Sequence, residues 1–177
     1  MKQSSLFGLT FLLFTSAITI VGGKLSNTYS NSEHKYQISY PKGWKVDESK
    51  GKENILLTAP IIDTITKQPE GSITIDATVN TKITPTTEIY KASMNNLQST
   101  TKDFKIVEEG EMFLGEVKSK YVIHHSKSGT STITTVQFYF SNGKTSFILG
   151  GTVPGETLGK NKDLYFDIAK SIQFSKK

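Results

Sequence analysis

Three histidines, His34, His124 and His125, are the first candidates for metal chemistry in this sequence. His124 and His125 are neighbours in a segment with the pattern of a β-strand, where successive side chains point to opposite faces. They therefore do not chelate one ion together. A zinc site would need His34 or carboxylates to be brought to one of them by the fold, and no spacing in the sequence indicates this. We predict ordinary strand histidines, without a metal or another cofactor.

Nucleophilic catalysis is not indicated either. The chain has no cysteine, and its serines and threonines form no Gly-x-Ser-x-Gly elbow and no Ser-x-x-Lys motif in a suitable setting. The glycines of residues 150–155 lack the Gly-Lys-Ser/Thr ending of a phosphate loop. Carboxylates are spread through predicted turns, at Asp47, Glu48, Glu108, Glu109 and Glu111. We expect a protein that is not an enzyme, and keep an envelope hydrolase with an unrecognised active site as the alternative.

Aromatic side chains suggest a binding function instead. They are Tyr36, Tyr40, Trp44, Tyr139 and Tyr165. A cleft between a sheet and a helix, rimmed by such residues, would bind a peptide or a small ligand. We take Tyr40, Trp44 and Tyr139 as the candidate surface for a ligand or partner. The competing interpretation is that Trp44 packs over the core beside the Tyr40-Pro41 turn.

The positive charge of the chain does not predict nucleic-acid binding. The net charge is +5, and all 21 basic residues are lysines. Arginine provides the planar fork that recognises guanine and phosphate in a bidentate manner, whereas lysine is only a point charge. The lysines are scattered along the chain rather than clustered. We interpret them as solvated surface charge, with weak attraction to anionic membrane or wall polymers as the alternative.

The N-terminus has the order of a secretory signal. Lys2 is followed by an apolar run over residues 6–21 and by small residues up to Gly23. We predict a cleaved signal peptide over residues 1–23, or an uncleaved membrane tether through residues 6–21 as the alternative. Residues 24–34 are polar and are predicted to be a flexible lead-in. We therefore expect an exported protein, secreted or associated with a membrane outside the cytoplasm.

Alternating and turn-forming residues indicate a single α+β domain over residues 35–175. Residues 36–40 are a predicted strand, stopped by Pro41 and Gly43, and a returning strand begins at Trp44. Short strands are predicted at residues 55–58 and 72–79, separated by a loop at 61–71. Ile73, Ile75, Ala77 and Val79 share one face of the second strand.

A helix and a three-strand meander follow. Thr84 as N-cap and Pro85 at the first helical position predict a helix that ends near Thr101. Strands at residues 117–126, 132–140 and 145–149 are joined by turns at Gly129 and Asn142-Gly143. A closing helix is predicted from residue 160 to 172.

This order resembles the PsbP/Mog1-like family. Tyr36-Gln37-Ile38-Ser39-Tyr40-Pro41 followed by Trp44 is similar to the opening of the family, and Ser171-Ile172-Gln173-Phe174 is similar to its closing signature. The middle helix and the meander also agree with the order of elements in the family. The resemblance therefore spans residues 29–175.

The resemblance implies an antiparallel sheet flanked by helices, an α/β/α sandwich. It also implies a non-enzymatic accessory or binding module, whose partner we expect to be another envelope or membrane protein. No metal-binding or partner-binding residue of the family matches a position here. A membrane-tethered structural protein is the further alternative that the sequence leaves open.

Overall fold

The structure, a computed structural model, describes residues 25–60, 71–156, 158–159 and 161–175. The predicted signal or tether in residues 1–23 and nearly all of the predicted loop at 61–71 lie outside these ranges. Within them, no helix combines the length and hydrophobicity needed to cross a bilayer.

The described ranges contain ten strands and two helices. In chain order these are β1 (Leu25–Asn31), β2 (Tyr36–Pro41), β3 (Lys45–Asp47), β4 (Asn54–Thr58), β5 (Ser72–Val79), α1 (Thr86–Thr100), β6 (Lys105–Leu114), β7 (Val117–Ser128), β8 (Ser131–Asn142), β9 (Thr145–Pro154), α2 (Asn161–Lys170) and β10 (Gln173–Phe174).

A seven-stranded antiparallel sheet organises the fold, with the strand order β3-β4-β5-β9-β8-β7-β6. The meander predicted from the turn residues is present as β7, β8 and β9. Gly129 and Gly143, with φ of 62° and 61°, each occupy the first position of a two-residue turn, where the positive φ favours glycine. These turns fix the register of the three strands of the meander, and α1 crosses over the sheet between β5 and β6.

The main core lies on one face of this sheet, beneath α2 and a small sheet with the order β1-β2-β10. Ile73, Ile75 and Ala77 point into it as the alternation predicts, but Val79 is exposed because nothing covers the end of β5 there. The other members include Tyr36 and Ile38 from the small sheet, Phe138 and Phe147 from the meander, and Tyr165, Ile168 and Ile172 from α2 and its end. This core confirms the α+β class and the antiparallel sheet flanked by helices.

A second, smaller core lies on the opposite face, beneath α1. Ile89 and Met94 of α1 are buried against Val122 and Tyr139 of the sheet. The helix begins one residue later than predicted, because Pro85 has an extended ψ of 142° and is itself the N-cap residue. Its carbonyl accepts the first helical hydrogen bonds, from the amides of Glu88 and Ile89. The predicted end near Thr101 is confirmed.

The small sheet corrects the prediction of a flexible lead-in at residues 24–34. Residues 25–31 form β1, which pairs antiparallel with β2. Tyr29 packs into the main core, and the buried Asn31 donates from Nδ2 to the carbonyl of Lys52 at 2.7 Å. The Asn31 Oδ1 accepts from the backbone amide of His34 at 2.9 Å. The prediction was wrong because few of the inward side chains of β1 are apolar.

The segment after Trp44 also pairs differently from the predicted return. β3 pairs with β4 in the large sheet, whereas β2 pairs with β1 and β10 in the small one. Gly43, with φ of 88°, lies where the chain leaves one sheet for the other. The Tyr-Pro-x-x-Trp segment is therefore a crossing between sheets rather than a hairpin.

Candidate functional site

The three aromatic residues predicted to form a ligand surface do not lie on one surface. Tyr40 and Trp44 are half-buried and pack against the main core. Tyr139 is on the opposite face of the large sheet, fully buried beneath α1, where its hydroxyl donates to Gln137 Oε1 at 2.7 Å. Its ring also contacts the Tyr90 ring edge to face at 5.4 Å. Tyr139 is therefore a core residue, because α1 covers the side of β8 that alternation alone left open.

Tyr36 and Tyr165 do not contribute to an aromatic rim either. Both are fully buried in the main core. The Tyr165 hydroxyl donates to the carbonyl of Thr152 at 3.0 Å, and the Tyr36 ring packs edge to face on Phe147 at 5.7 Å. Tyr36 and Tyr165 therefore stabilise the main core.

The structure instead presents a cleft between α1 and the uncovered part of the large sheet, which we call the α1 cleft. Its volume is about 390 Å³. It is lined by Asp76, Thr78, Asn80, Thr84, Glu88, Ile89, Ala92, Ser93, Ser146 and Ile148. A cavity of this size accommodates a small ligand or a single large side chain.

Strand register explains how the sheet side of the α1 cleft is built. Asp76 and Thr78 alternate with the core residues of β5 and so point towards α1. Asp76 lies opposite Ile148, and Thr78 lies opposite Ser146, on the neighbouring strand β9. The sheet therefore supplies adjacent polar and apolar contacts in fixed positions.

Asn80 fixes the rim of the α1 cleft at the end of β5. Its Nδ2 donates to Ser146 Oγ at 2.8 Å and to the carbonyl of Lys144 at 3.1 Å. Its backbone amide donates to the same carbonyl at 2.8 Å. These bonds hold the β5–α1 connection against β9, so this side of the cleft is preorganised.

Two carboxylates give the α1 cleft its charge. Asp76 accepts a hydrogen bond from Asn54 Nδ2, and Glu88 lies in the exposed first turn of α1. Burial raises the pKa of Asp76, and the Asn54 hydrogen bond and the charge of Lys50 oppose this rise. No lysine is among the lining residues, and within the described ranges neither carboxylate forms an ion pair.

Other carboxylates of this lysine-rich chain do have ion-pair partners. Glu108 Oε2 is 2.7 Å from Lys162 Nζ, and Glu111 lies between two lysines of the β6–β7 hairpin. The pKa of Glu108 is lowered chiefly by its hydrogen bond from Lys162. The α1 cleft is therefore an acidic pocket on a basic protein, and neither of its carboxylates forms an ion pair with a described residue.

The histidines form no catalytic arrangement in the part of the chain that the structure describes. His125 Nδ1 lies 3.1 Å from Thr134 Oγ1, but Thr134 donates its own proton to the carbonyl of Gly155 at 2.7 Å. The imidazole therefore donates to Thr134 and cannot activate it as a nucleophile. Across these ranges, no three His, Asp or Glu side chains come together as potential metal ligands.

The sequence contained a partial signal for the α1 cleft. Asp76 is a charged residue on the outward side of a predicted strand. The next predicted element is a helix, and Glu88 is in its first turn. Whether the two face each other depends on where α1 crosses the sheet. That crossing results from tertiary packing on Val122 and Tyr139, which strand and helix periodicity do not specify.

Comparison with known proteins identifies the fold. No protein-family model matches the sequence, and no curated protein sequence matches it. The solution structure of cyanobacterial PsbP (CyanoP) from Synechocystis sp. PCC 6803 is similar, with a TM-score of 0.61 and 13% identity over 84% of this chain and 92% of that one. The Ran-binding protein Mog1p of Saccharomyces cerevisiae has a TM-score of 0.58 and 12% identity over 84% and 94%.

Two further similar structures come from other bacteria. LpqN, which is involved in cell envelope biogenesis of Mycobacterium tuberculosis, has a TM-score of 0.56 and 14% identity over 80% of this chain and 83% of that one. A protein from Bacteroides thetaiotaomicron VPI-5482 has a TM-score of 0.61 and 14% identity over 87% of this chain, which spans only 50% of that longer protein. The chain thus has the PsbP/Mog1-like fold that its sequence resembled.

Proposed function

We propose that this protein is an extracytoplasmic binding or accessory module without catalytic activity, and that it holds its partner in the α1 cleft. The observation that carries this proposal is a preorganised pocket whose two carboxylates have no ion-pair partner among the described residues. The fold it shares with the Ran-binding protein Mog1p supports a binding function. The likeness to LpqN supports a role in the cell envelope.

The chemistry of the α1 cleft favours a ligand with a cationic group. An ammonium group would satisfy Asp76 and the nearby Glu88, while Ile89, Ala92 and Ile148 would contact its aliphatic part. A cationic ligand also removes the cost of an unpaired, half-buried carboxylate. We therefore propose a partner that presents a lysine-like side chain, and we expect an envelope or membrane protein to supply it.

Site-specific photo-cross-linking in the native host tests this function. A benzophenone amino acid at Thr78, on the exposed edge of the α1 cleft, should give one major adduct, whereas the same group at Lys170 on α2 should not. Glu88→Gln should reduce the Thr78 adduct, and the matched change Glu116→Gln, in the β6–β7 turn, should leave it unchanged. Equal adducts from both positions, or no effect of Glu88→Gln, would contradict the proposal.

The proposed location depends on residues 1–23 and has its own test. N-terminal sequencing of the protein from the envelope fraction should give a mature chain that starts near Lys24. An intact N-terminus in the membrane fraction would favour the tether through residues 6–21. Recovery of the intact chain from the cytosol would exclude export.

A further inference from the structure

His124 is a buried titratable side chain whose ring nitrogens make no well-formed hydrogen bond among the described residues. It is 3% exposed, and neither Nδ1 nor Nε2 has a partner of full hydrogen-bond geometry there, although the Gln137 side chain and the His125 backbone are near enough to favour the charged ring. Buried polar atoms are nearly always paired, so an imidazole with two unpaired nitrogens is a costly feature. Such a ring is tolerated only in its neutral form, because the charged form would lose its hydration entirely.

The ring of His124 holds the connection between α1 and β6 on the sheet. Its centroid is 4.9 Å from that of the Phe104 ring. Phe104 ends a tight connection that contains Asp103 with a φ of 53°, an uncommon value for a residue other than glycine. The backbone of this connection also bonds to β7, where the amide of Lys127 donates to the carbonyl of Lys102 at 3.0 Å.

An open groove borders the same connection. Its volume is about 550 Å³, and its lining includes Gln98 and Thr101 from the end of α1, with Phe104 and Ile106 beyond it. Water therefore reaches the outer side of Phe104, while the ring of His124 is buried behind it. Displacement of Phe104 would expose His124 without disturbing the main core on the other face of the sheet.

The charged groups around His124 do not stabilise an imidazolium ion. The connection and β6 carry Lys102, Asp103, Lys105, Glu108, Glu109 and Glu111, and β7 carries Lys118, Lys120, His125 and Lys127. The charged residues of α1, Glu88 and Lys91, are in its first half, and β8 has none. Glu109 already accepts a hydrogen bond from Tyr90, Glu108 pairs with Lys162, and Glu111 pairs with Lys118 and Lys120. On the connection and β6, Asp103 is therefore the one carboxylate without such a partner in the described ranges, and it is outnumbered by Lys102, Lys105 and Lys127.

We propose that His124 is an acid-sensitive latch, whose protonation releases Phe104 and residues 101–104 from the sheet. Burial lowers the pKa of His124, and the nearby Gln137 side chain and His125 backbone oppose this only in part. A depressed pKa means that the closed state is fully stable above the ordinary value near 6.5 and loses stability as the pH falls below it.

Hydrogen exchange of the full chain at pH 7.5 and 5.0 tests the latch. After correction for intrinsic exchange rates, protection of a peptide covering residues 97–106 should fall at pH 5.0, by at most about 30-fold for an open-state pKa near 6.5. Protection of residues 54–58 in β4 should change far less. His124→Phe preserves the aromatic contact and should abolish the fall.

Matched variants keep the test decisive. His125→Gln changes the neighbouring histidine on the other side of β7 and should retain the fall in protection. If His124→Phe does not fold, His124→Gln provides a second side chain that does not titrate. Equal protection at both pH values, an equal loss in β4, or a fall that persists in the folded His124 variant would overturn the proposal.

Discussion

At the scale of single residues, the account depends on polar groups whose surroundings do not fully satisfy them. Within the described ranges, Asp76 has a hydrogen bond but no ion-pair partner, and the ring nitrogens of His124 have no well-formed hydrogen bond. Buried groups of this kind reduce stability unless binding or a conformational change uses them. Both lie on the α1 side of the large sheet, opposite the main core.

Asp76 should make the protein less stable as the pH rises. Its pKa is raised by burial, so the folded state binds its proton more tightly than the unfolded state does. The resulting stability is present below the unfolded pKa near 3.9 and is lost as the pH rises through the folded pKa. In the Asp76→Asn variant, the free energy of unfolding should depend less on pH over this range. Urea denaturation at pH values from 4 to 7 measures this dependence. A curve unchanged by the substitution would contradict this assignment.

Asn31 should stabilise the start of the domain through its two backbone contacts. Asn31→Ala leaves the carbonyl of Lys52 and the amide of His34 without their partner. We expect the free energy of unfolding to fall by about 1–3 kcal/mol. Ser30→Ala, at an exposed neighbouring position of β1, is the control and should cost less than about 0.5 kcal/mol. Equal effects of the two changes would mean that β1 is not anchored as described.

At the scale of elements, α2 docks closely because a glycine lies beneath it. A Cβ at Gly151 would be 2.5 Å from the Tyr165 ring, whereas one at Gly150 would be 3.2 Å from Thr74 Oγ1 and 3.7 Å from Gln137 Cγ, which is much less crowded. We expect Gly151→Ala to destabilise the fold by about 1–3 kcal/mol through overpacking, and Gly150→Ala to cost clearly less. Thermal unfolding followed by circular dichroism compares the two. A Gly151→Ala variant as stable as the Gly150→Ala variant would show that α2 shifts freely.

The sequence predicted the individual strands and helices better than it predicted which of them pack beside one another. Turn glycines and alternation were sufficient for β7, β8 and β9, since these features act between adjacent residues. Whether the outward side of β8 is solvent-exposed depends on the distant helix α1, so Tyr139 was assigned to the surface although it is buried. The same limit applies to β2 and β3, which adjoin in sequence but belong to different sheets.

The candidate site was predicted less well than the fold for a related reason. A binding cleft requires that β5, β9 and α1 come together, and these elements are up to about 70 residues apart in the sequence. The aromatic residues suggested a site because large rings are frequent at interfaces. In this chain most of them stabilise the cores, and the cleft is instead lined by carboxylates, an amide, hydroxyls and small or aliphatic side chains.

At the scale of the whole molecule, charge separates the α1 cleft from the rest of the surface. The chain carries a net charge of +5, whereas the described lining residues of the cleft include two carboxylates and no lysine. A basic protein with a local acidic pocket is expected to repel cationic partners generally and to accept them at one place. Raising the ionic strength should therefore change the association rate of such a partner more than its dissociation rate, which stopped-flow fluorescence measures. A salt effect confined to dissociation would contradict the charge argument.

The most direct test of the account is an NMR titration of the ¹⁵N-labelled protein with Nα-acetyl-lysine methylamide and, in parallel, its uncharged norleucine analogue. The lysine compound should shift the amide signals of Thr78, Ser93 and Ser146, and the Asp76→Asn, Glu88→Gln double variant should lose these shifts. The norleucine compound should have little effect. Equal shifts with both compounds, or shifts confined to residues outside the α1 cleft, would contradict the claim that this cleft recognises a cationic group.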